Sequence, residues 1–194
     1  MEKIDTSDFD LSFNFKFNLH KSIIPIGIED NDWERLAVVY GTDLYWVKTK
    51  VEKIEREVQE GAKKVASAMN LGKLKAAKSL KVAFLGDSIT SDRQSYLQII
   101  REVVKDIPAF EIIDFSISGH KSGDLLTAMF PNVVEAEADI VHIMIGTNDL
   151  RRNDDKYGVS HTSIQEFEKN MNYIIGILRE EGSKVILSTV PPFS

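Results

Sequence analysis

The chain has 194 residues, of which 43% are hydrophobic, so it is long enough for a domain with a sizeable core and too apolar to be disordered throughout. It contains no cysteine, which excludes disulfides and thiolate metal sites and favours a reducing compartment. The net charge of −6, without a basic cluster outside one helix, argues against nucleic acid as a partner.

The amino-terminal residues are mostly acidic and polar, and they lack the apolar segment that a secretory signal requires. No apolar run approaches the ~20 residues of a transmembrane helix. These features predict a cytoplasmic protein without a membrane span, although a processed secreted form would have the same sequence.

Residues 1–80 are predicted to form an N-terminal extension. Every odd position from 9 to 19 is apolar, which is typical of a strand with one buried face. Thr42 or Asp43 is suited to cap a long amphipathic helix that ends near Gly72. We expect this helix, interrupted at Gly61, to pack on the core or on a partner. A short basic helix and connector would follow.

Residues 81–194 alternate between strand-like and helix-like patterns. The predicted strands are residues 82–85, 112–115, 140–145 and 185–190. The predicted helices are residues 91–105, residues 124–138 with a bend at Pro131, and a segment that Ser163 caps and Gly182 ends. This alternation predicts a second domain with a parallel sheet covered by helices on both faces.

Small or polar residues follow each of the first three strands. The sequence Gly86-Asp87-Ser88 follows the first strand, residues 116–119 follow the second, and residues 146–149 follow the third. Each block taken alone is compatible with an ordinary turn. In open α/β sheets, however, catalytic groups lie in the crevice beyond the carboxyl ends of the strands.

These blocks, in the order Ser, Gly, Asn, resemble those of the SGNH hydrolases, also called GDSL esterases and lipases. The resemblance covers residues 81–194 and implies a three-layer α/β/α fold with a flavodoxin-like parallel sheet. It implies that Ser88 is the nucleophile. The backbone N–H groups of Ser88 and Gly119 and the side-chain amide of Asn148 would then form the oxyanion hole.

The family also has an Asp-x-x-His block near its C-terminus that supplies the base, and this chain stops at Ser194, before that block. Among the internal histidines, His120 lies nearest the expected crevice and is the best substitute. His142 is expected to point into a packed layer, and His161 to be a capping or loop residue. We therefore expect the general base to lie outside this chain, as in a fragment, and the chain alone to be nearly inactive.

The expected function is hydrolysis of a small-molecule or carbohydrate ester, with acetyl or short acyl groups, without a cofactor or a metal site. The alternative is a non-catalytic binding module or fragment that keeps the fold without the base. Because the last strand would leave an open edge, a homo-oligomer or a complementary C-terminal fragment is a possible partner.

Overall fold

The computed structural model describes residues 8–23, 28–72, 79–152 and 158–191. The predicted basic connector falls mainly outside these residues. The N-terminal part contains the helices α1 (Asp8–Lys16), α2 (His20–Ile23), α3 (Trp33–Val39) and α4 (Leu44–Ala68). The remainder contains β1 (Leu80–Gly86), α5 (Ser88–Ser91), α6 (Tyr96–Val104), β2 (Phe110–Asp114), α7 (Ser122–Asp124), a π-helical turn (Leu125–Met129), α8 (Phe130–Glu135), β3 (Ile140–Met144), α9 (Thr147–Leu150), α10 (Ile164–Glu180) and β4 (Lys184–Leu187). No helix in the described ranges is long and apolar enough to cross a membrane.

The described strands form a four-stranded parallel sheet in the order β2-β1-β3-β4. The central strand β1 lies between β2 and β3, so that Gly86 pairs with Met144 and Phe84 with Asp114. The carboxyl ends of these three strands therefore lie at the same edge of the sheet. This arrangement confirms the predicted parallel sheet.

Helices cover both faces of the sheet, as predicted. On one face, Ala83, Leu85, Val141 and Ile143 are fully buried in the main core, which also contains residues of α8 and α10. On the other face, the ring of Tyr96, the first residue of α6, contacts both Phe84 and His142. The result is the expected three-layer α/β/α architecture.

The long helix predicted in the extension is confirmed as α4. Asp43 caps it by accepting a 2.7 Å hydrogen bond from the backbone N–H of Trp46. The helix packs on α6, and Gly61 makes this contact close, because a Cβ there would lie 2.9 Å from Ile99 Cδ1. A second core lies at its other end, formed by Phe15, Leu36, Ala37 and Val47.

The strand predicted at residues 9–19 is wrong, because most of this segment forms helix α1. In a helix, residues two apart lie on opposite sides, whereas residues four apart share a face. The alternating apolar residues therefore divide into two rows. One contains Phe9 and Phe13, which are 74% and 47% exposed, and the other contains Phe15, which is 1% exposed. The buried row packs on α3 and α4.

The bend predicted near Pro131 takes the form of the π-helical turn. Proline has no N–H to donate within a helix, and its ring crowds the preceding turn. Directly before it, the N–H of Phe130 bonds to the carbonyl of Leu125, five residues back. The π-helical turn thus occupies the residues with which the proline ring would clash in an ordinary α-helix.

Candidate functional site

The first block places Ser88 at the carboxyl edge of β1. The strand ends at Gly86, and Ser88 is the first residue of α5. Asp87 caps this helix by accepting a 2.9 Å hydrogen bond from the N–H of Ile89. Ser88 is half-buried. Ser88 therefore lies directly after the carboxyl end of the central strand.

Asp87 is completely buried beneath the site. Burial raises the pKa of its carboxyl group, the nearby Asp149 carboxylate raises it further, and the hydrogen bond from Ile89 opposes the shift. The capping contact gives Asp87 a structural role in starting α5.

The second block continues alongside β1 after β2 has ended. The N–H of Phe115 bonds to the carbonyl of Phe84 at 2.8 Å, and that of Ile117 to the carbonyl of Gly86 at 3.1 Å. Gly119 has a φ of +86°, in the left-handed region that favours glycine. A Cβ there would meet no atom within 4 Å, so the backbone of Gly119 is open to an approaching ligand.

The third block bonds directly to the second. Asn148 lies in α9, and its Nδ2 donates to the carbonyl of His120 at 2.9 Å. An amide nitrogen has two N–H groups, so this bond fixes the orientation of Asn148 and leaves the other available. The structure therefore brings Asn148 against the residue that follows Gly119.

The first and second blocks are also joined. Ser91, at the end of α5, lies within hydrogen-bonding distance of Ser118, with 3.0 Å between their hydroxyl oxygens. Together with the bond between Asn148 and His120, this contact draws the three loops that follow β1, β2 and β3 into one cluster.

The N-terminal extension contacts these loops, which was not expected from the sequence. The hydroxyl of Ser118 donates to the carbonyl of Phe17. Asn18 Nδ2 donates to the carbonyl of Ser91 at 2.7 Å. The extension is thus hydrogen-bonded to both α5 and the second block. No local sequence pattern indicates these contacts, because the partners lie 73 to 101 residues apart.

A buried polar network behind the third block was also not identified from sequence. Asp149 accepts from the hydroxyl of Ser122 at 2.6 Å and from its N–H through both carboxylate oxygens. Asn170 of α10 in turn donates to the hydroxyl of Ser122 at 3.1 Å. These bonds give Asp149 a structural role, and through Ser122 they attach α9 to α10.

His142 is half-buried and held at both ring nitrogens. Its Nδ1 lies 3.2 Å from the hydroxyl of Tyr96, and its Nε2 lies 2.8 Å from the hydroxyl of Ser188. Burial lowers its pKa. The expectation that His142 points into a packed layer is therefore correct, with added polar contacts to α6 and to the residue after β4.

One Asp-x-x-His sequence, from Asp139 to His142, occurs in this chain. It lies at the amino end of β3, and Asp139 accepts a hydrogen bond from the N–H of Lys81 at 2.7 Å. Ser88 lies beyond the carboxyl end of the adjacent strand, so Asp139 is at the opposite edge of the sheet. This sequence is therefore not the catalytic block of the family.

His120 is half-buried, and its Nδ1 has no hydrogen-bond partner among the described residues. Burial lowers its pKa, which keeps the ring neutral at neutral pH.

Within the described ranges, no group of three or more His, Asp or Glu side chains is arranged to hold a metal ion.

The fold resembles that of solved esterases. An acetyl xylan esterase called AlAXEase is 31% identical over 56% of this chain and 57% of its own, with a TM-score of 0.49. Axe2, an acetylxylan esterase from Geobacillus stearothermophilus, is 23% identical over 58% of this chain and 60% of its own, with a TM-score of 0.50. This chain thus spans less than two thirds of the length of either protein.

No functionally curated protein matches the sequence. A family model described as GDSL-like lipase/acylhydrolase matches residues 84–194, which is more than half of the chain and includes all three blocks. Because of this match, together with the parallel sheet and the three joined loops, the chain belongs to the GDSL-like lipase/acylhydrolase family.

Proposed function

We propose that this domain hydrolyses esters through an acyl-enzyme on Ser88. The observation that carries the proposal is the hydrogen bond from Asn148 to the carbonyl of His120, because it holds the third block against the loop that contains Gly119. The contact between Ser91 and Ser118 supports it by joining this loop to the helix that begins with Ser88. Membership of the acylhydrolase family supplies the class of reaction.

In the proposed reaction, Ser88 Oγ attacks the acyl carbonyl carbon while a base takes the hydroxyl proton. The developing oxyanion accepts hydrogen bonds from the N–H groups of Ser88 and Gly119 and from the second N–H of Asn148. The base then returns the proton to the leaving alcohol. Water attacks the resulting ester of Ser88, which releases the carboxylic acid and the free serine.

We further propose that no histidine of this chain is the working base. Both ring nitrogens of His142 contact other side chains, and His20 is 4% exposed and bonded to Tyr40. His120 has a free Nδ1 among the described residues, but the family does not take its base from this position. The proposed source is the Asp-x-x-His block of the family.

The proposed substrates are acetyl or short acyl esters of carbohydrates. The solved proteins of similar fold are named as esterases of acetylated xylan, which makes acetylated xylo-oligosaccharides the first substrates to test. The open position of Gly119 is compatible with a small acyl group.

The test is hydrolysis of 4-nitrophenyl acetate by the chain and by its Ser88→Ala, His120→Ala and Ser67→Ala forms. Ser67 is an exposed serine on α4 and serves as the matched control. In subtilisin, loss of the histidine from the serine triad costs about 10⁶ in kcat, while about 10³–10⁴-fold acceleration over water remains. We therefore expect only slow turnover by the present chain. Because this residual acceleration comes from the oxyanion hole and from binding, all three substitutions should leave it nearly unchanged.

A longer form that includes the Asp-x-x-His block is expected to be fast. Rapid turnover by the present chain that is lost in His120→Ala would instead identify His120 as the base. If the longer form is also inactive, or if its activity survives Ser88→Ala, the proposal of a Ser88 acyl-enzyme is wrong and a non-catalytic binding module is favoured.

A further inference from the structure

The N-terminal extension meets the three loops directly after helix α1. The helix ends at Lys16, and Phe17 and Asn18 follow it. The carbonyl of Phe17 accepts a hydrogen bond from the hydroxyl of Ser118, and Asn18 Nδ2 donates to the carbonyl of Ser91 at 2.7 Å. Both residues of the extension precede the part of the chain that matches the family model, so the family supplies no role for them.

Asn18 holds the end of the helix that begins with Ser88. Helix α5 is a single turn, in which the N–H of Asp92 bonds to the carbonyl of Ser88 at 2.9 Å. A helix this short has little stability of its own, and its last carbonyl groups have no partner within it. Asn18 bonds to one of these groups, the carbonyl of Ser91. The position of Ser88 is therefore tied to Asn18 through one turn of helix.

A closed network of three hydrogen bonds links Asn18 to the second block. Ser118 donates its hydroxyl proton to the carbonyl of Phe17, so the hydroxyl of Ser91, 3.0 Å away, donates to Ser118. The bond from Asn18 to the carbonyl of Ser91 completes the network. Ser118 directly precedes Gly119. The network thus holds both the helix of Ser88 and the segment that contains Gly119.

Asn18 is not the residue that stability alone favours at this position. Its φ of +53° lies in the left-handed region, which glycine adopts without steric strain. Its side chain is buried, and Oδ1 has no hydrogen-bond partner among the described residues. A buried polar atom without a partner destabilises the folded state. Unfavourable features of this kind are typical of functional sites, where they maintain a specific geometry.

Other contacts keep the backbone around Asn18 in place. The N–H of Arg93 donates to the carbonyl of Lys16 at 3.0 Å, and its Nε donates to the carbonyl of Phe15 at 3.1 Å. The Lys16 ammonium lies 3.4 Å from the Asp92 carboxylate. Asn18 and Arg93 also line the same cavity. Loss of the Asn18 side chain should therefore leave the extension attached, so a substitution can test the amide by itself.

We infer that Asn18 is a positioning residue for the proposed ester hydrolysis. It holds the end of α5 and, through Ser91, the segment before Gly119, so that the N–H groups of Ser88 and Gly119 face one oxyanion. The inference rests on the proposed oxyanion hole. Loss of one oxyanion donor lowers kcat by about 10²–10³-fold. Loss of Asn18 would displace donors without removing one, so we expect a smaller effect, of about ten-fold.

The test replaces Asn18 by glycine, which keeps the left-handed backbone and removes the amide. The residual acceleration of 4-nitrophenyl acetate hydrolysis by the present chain comes from the oxyanion hole and from binding, so it reports on this geometry. We expect Asn18→Gly to lower this acceleration by about ten-fold. Glu137→Gly is the matched control and should leave it unchanged. Glu137 also has a positive φ, of 49°, is exposed, and lies two residues before Asp139, at the opposite edge of the sheet.

Kinetics of the longer form that includes the Asp-x-x-His block separate positioning from a general loss of stability. There, Asn18→Gly should lower kcat by about ten-fold and leave KM nearly unchanged. Urea denaturation should show that both glycine variants remain folded under the assay conditions. Unchanged rates in Asn18→Gly, or an equal loss in Glu137→Gly, would overturn the inference.

Ser91→Ala is a second variant, which removes the hydroxyl bond to Ser118 and keeps the carbonyl that Asn18 contacts. It should also lower kcat. Because both side chains belong to one network, the double variant should lose less than the product of the two single effects. Fully multiplicative effects would contradict a shared network. If Asn18→Gly does not fold, the kcat of Ser91→Ala decides in its place.

This result is distinguishable from that of the proposed function, which Ser88→Ala decides in the longer form. Ser88-dependent turnover with an unchanged kcat in Asn18→Gly would support the esterase and reject the role of Asn18. Conversely, the residual acceleration of the present chain can fall in Asn18→Gly while the longer form shows no Ser88-dependent turnover. That outcome would support the role of Asn18 and reject the acyl-enzyme.

Discussion

Among the glycines of the three blocks, Gly86 leaves the least room for a side chain. A Cβ at this position would lie 2.5 Å from Thr90 Oγ1 and 2.7 Å from the backbone carbonyl oxygen of Met144. The hydroxyl could rotate away, but the carbonyl belongs to the neighbouring strand and cannot. Glycine therefore lets β1 and β3 end side by side directly before Ser88.

We expect Gly86→Ala to destabilise the fold by about 1–3 kcal/mol, the usual cost of overpacking. The measurement is the free energy of unfolding from urea denaturation. Gly176→Ala in α10 is the control, since a Cβ there meets no atom within 4 Å and alanine favours a helix by about 0.5–1 kcal/mol. Equal effects of the two substitutions would contradict this account of packing at Gly86.

At the scale of elements, the helices of the N-terminal extension enclose a buried histidine. His20 begins α2, and its Nδ1 lies 2.8 Å from the hydroxyl of Tyr40. That hydroxyl donates its proton to the carbonyl of Asn14, so it accepts from His20. The unprotonated nitrogen is therefore Nε2, and the neutral ring fits between α2 and the end of α3.

Burial lowers the pKa of His20 to about 4, and Arg93 contributes to the shift. Lys21 lowers the pKa as well, whereas Asp30 raises it. In the unfolded chain the pKa is about 6.5, so the unfolded state binds a proton first as the pH falls. The stabilising effect of the neutral ring is therefore complete above pH ~6.5 and is lost as the pH falls towards 4.

We expect the free energy of unfolding to decrease by up to about 3 kcal/mol from this residue between pH ~6.5 and ~4, at 1.36 kcal/mol per pKa unit. The His20→Gln variant should lose this part of the pH dependence. Urea denaturation of both forms across this range provides the measurement. Parallel curves for the two proteins would mean that His20 is not the titrating group.

At the scale of the whole molecule, β4 is an edge strand among the described residues. It pairs with β3 on one side. Two of its apolar side chains, Ile186 and Leu187, are 49% and 58% exposed. An exposed apolar edge is a surface on which another strand can pair.

We therefore predict that the 194-residue chain self-associates. Size-exclusion chromatography over a dilution series should give an apparent mass that falls with concentration. Ile186→Lys should shift the chain towards the monomer, since edge lysines oppose strand pairing. Val159→Lys, at an 82% exposed apolar residue away from the sheet, is the control. A wild-type chain that remains monomeric at all concentrations would contradict the prediction.

The sequence by itself determined the parallel sheet, the long helix α4 and the family. Each depends on local signals: continuous apolar runs for buried strands, a 3.6-residue period with Asp43 as a cap, and short motifs directly after strands. Such signals can be recognised without knowledge of contacts between distant residues. The resemblance of these motifs to the family also implies the three residues of the proposed oxyanion hole, Ser88, Gly119 and Asn148.

Tertiary structure decided the form of residues 9–19 and the surroundings of the site. An alternating pattern suits a strand with one wet face, but in α1 the same residues place Phe15 in the second core and leave Phe9 in solvent. Asn18 and Arg93 are likewise far apart in the chain, yet they line one cavity. Contacts of this kind depend on how whole helices pack. Neither the hydrophobic periodicity nor the secondary-structure propensity of a segment predicts them.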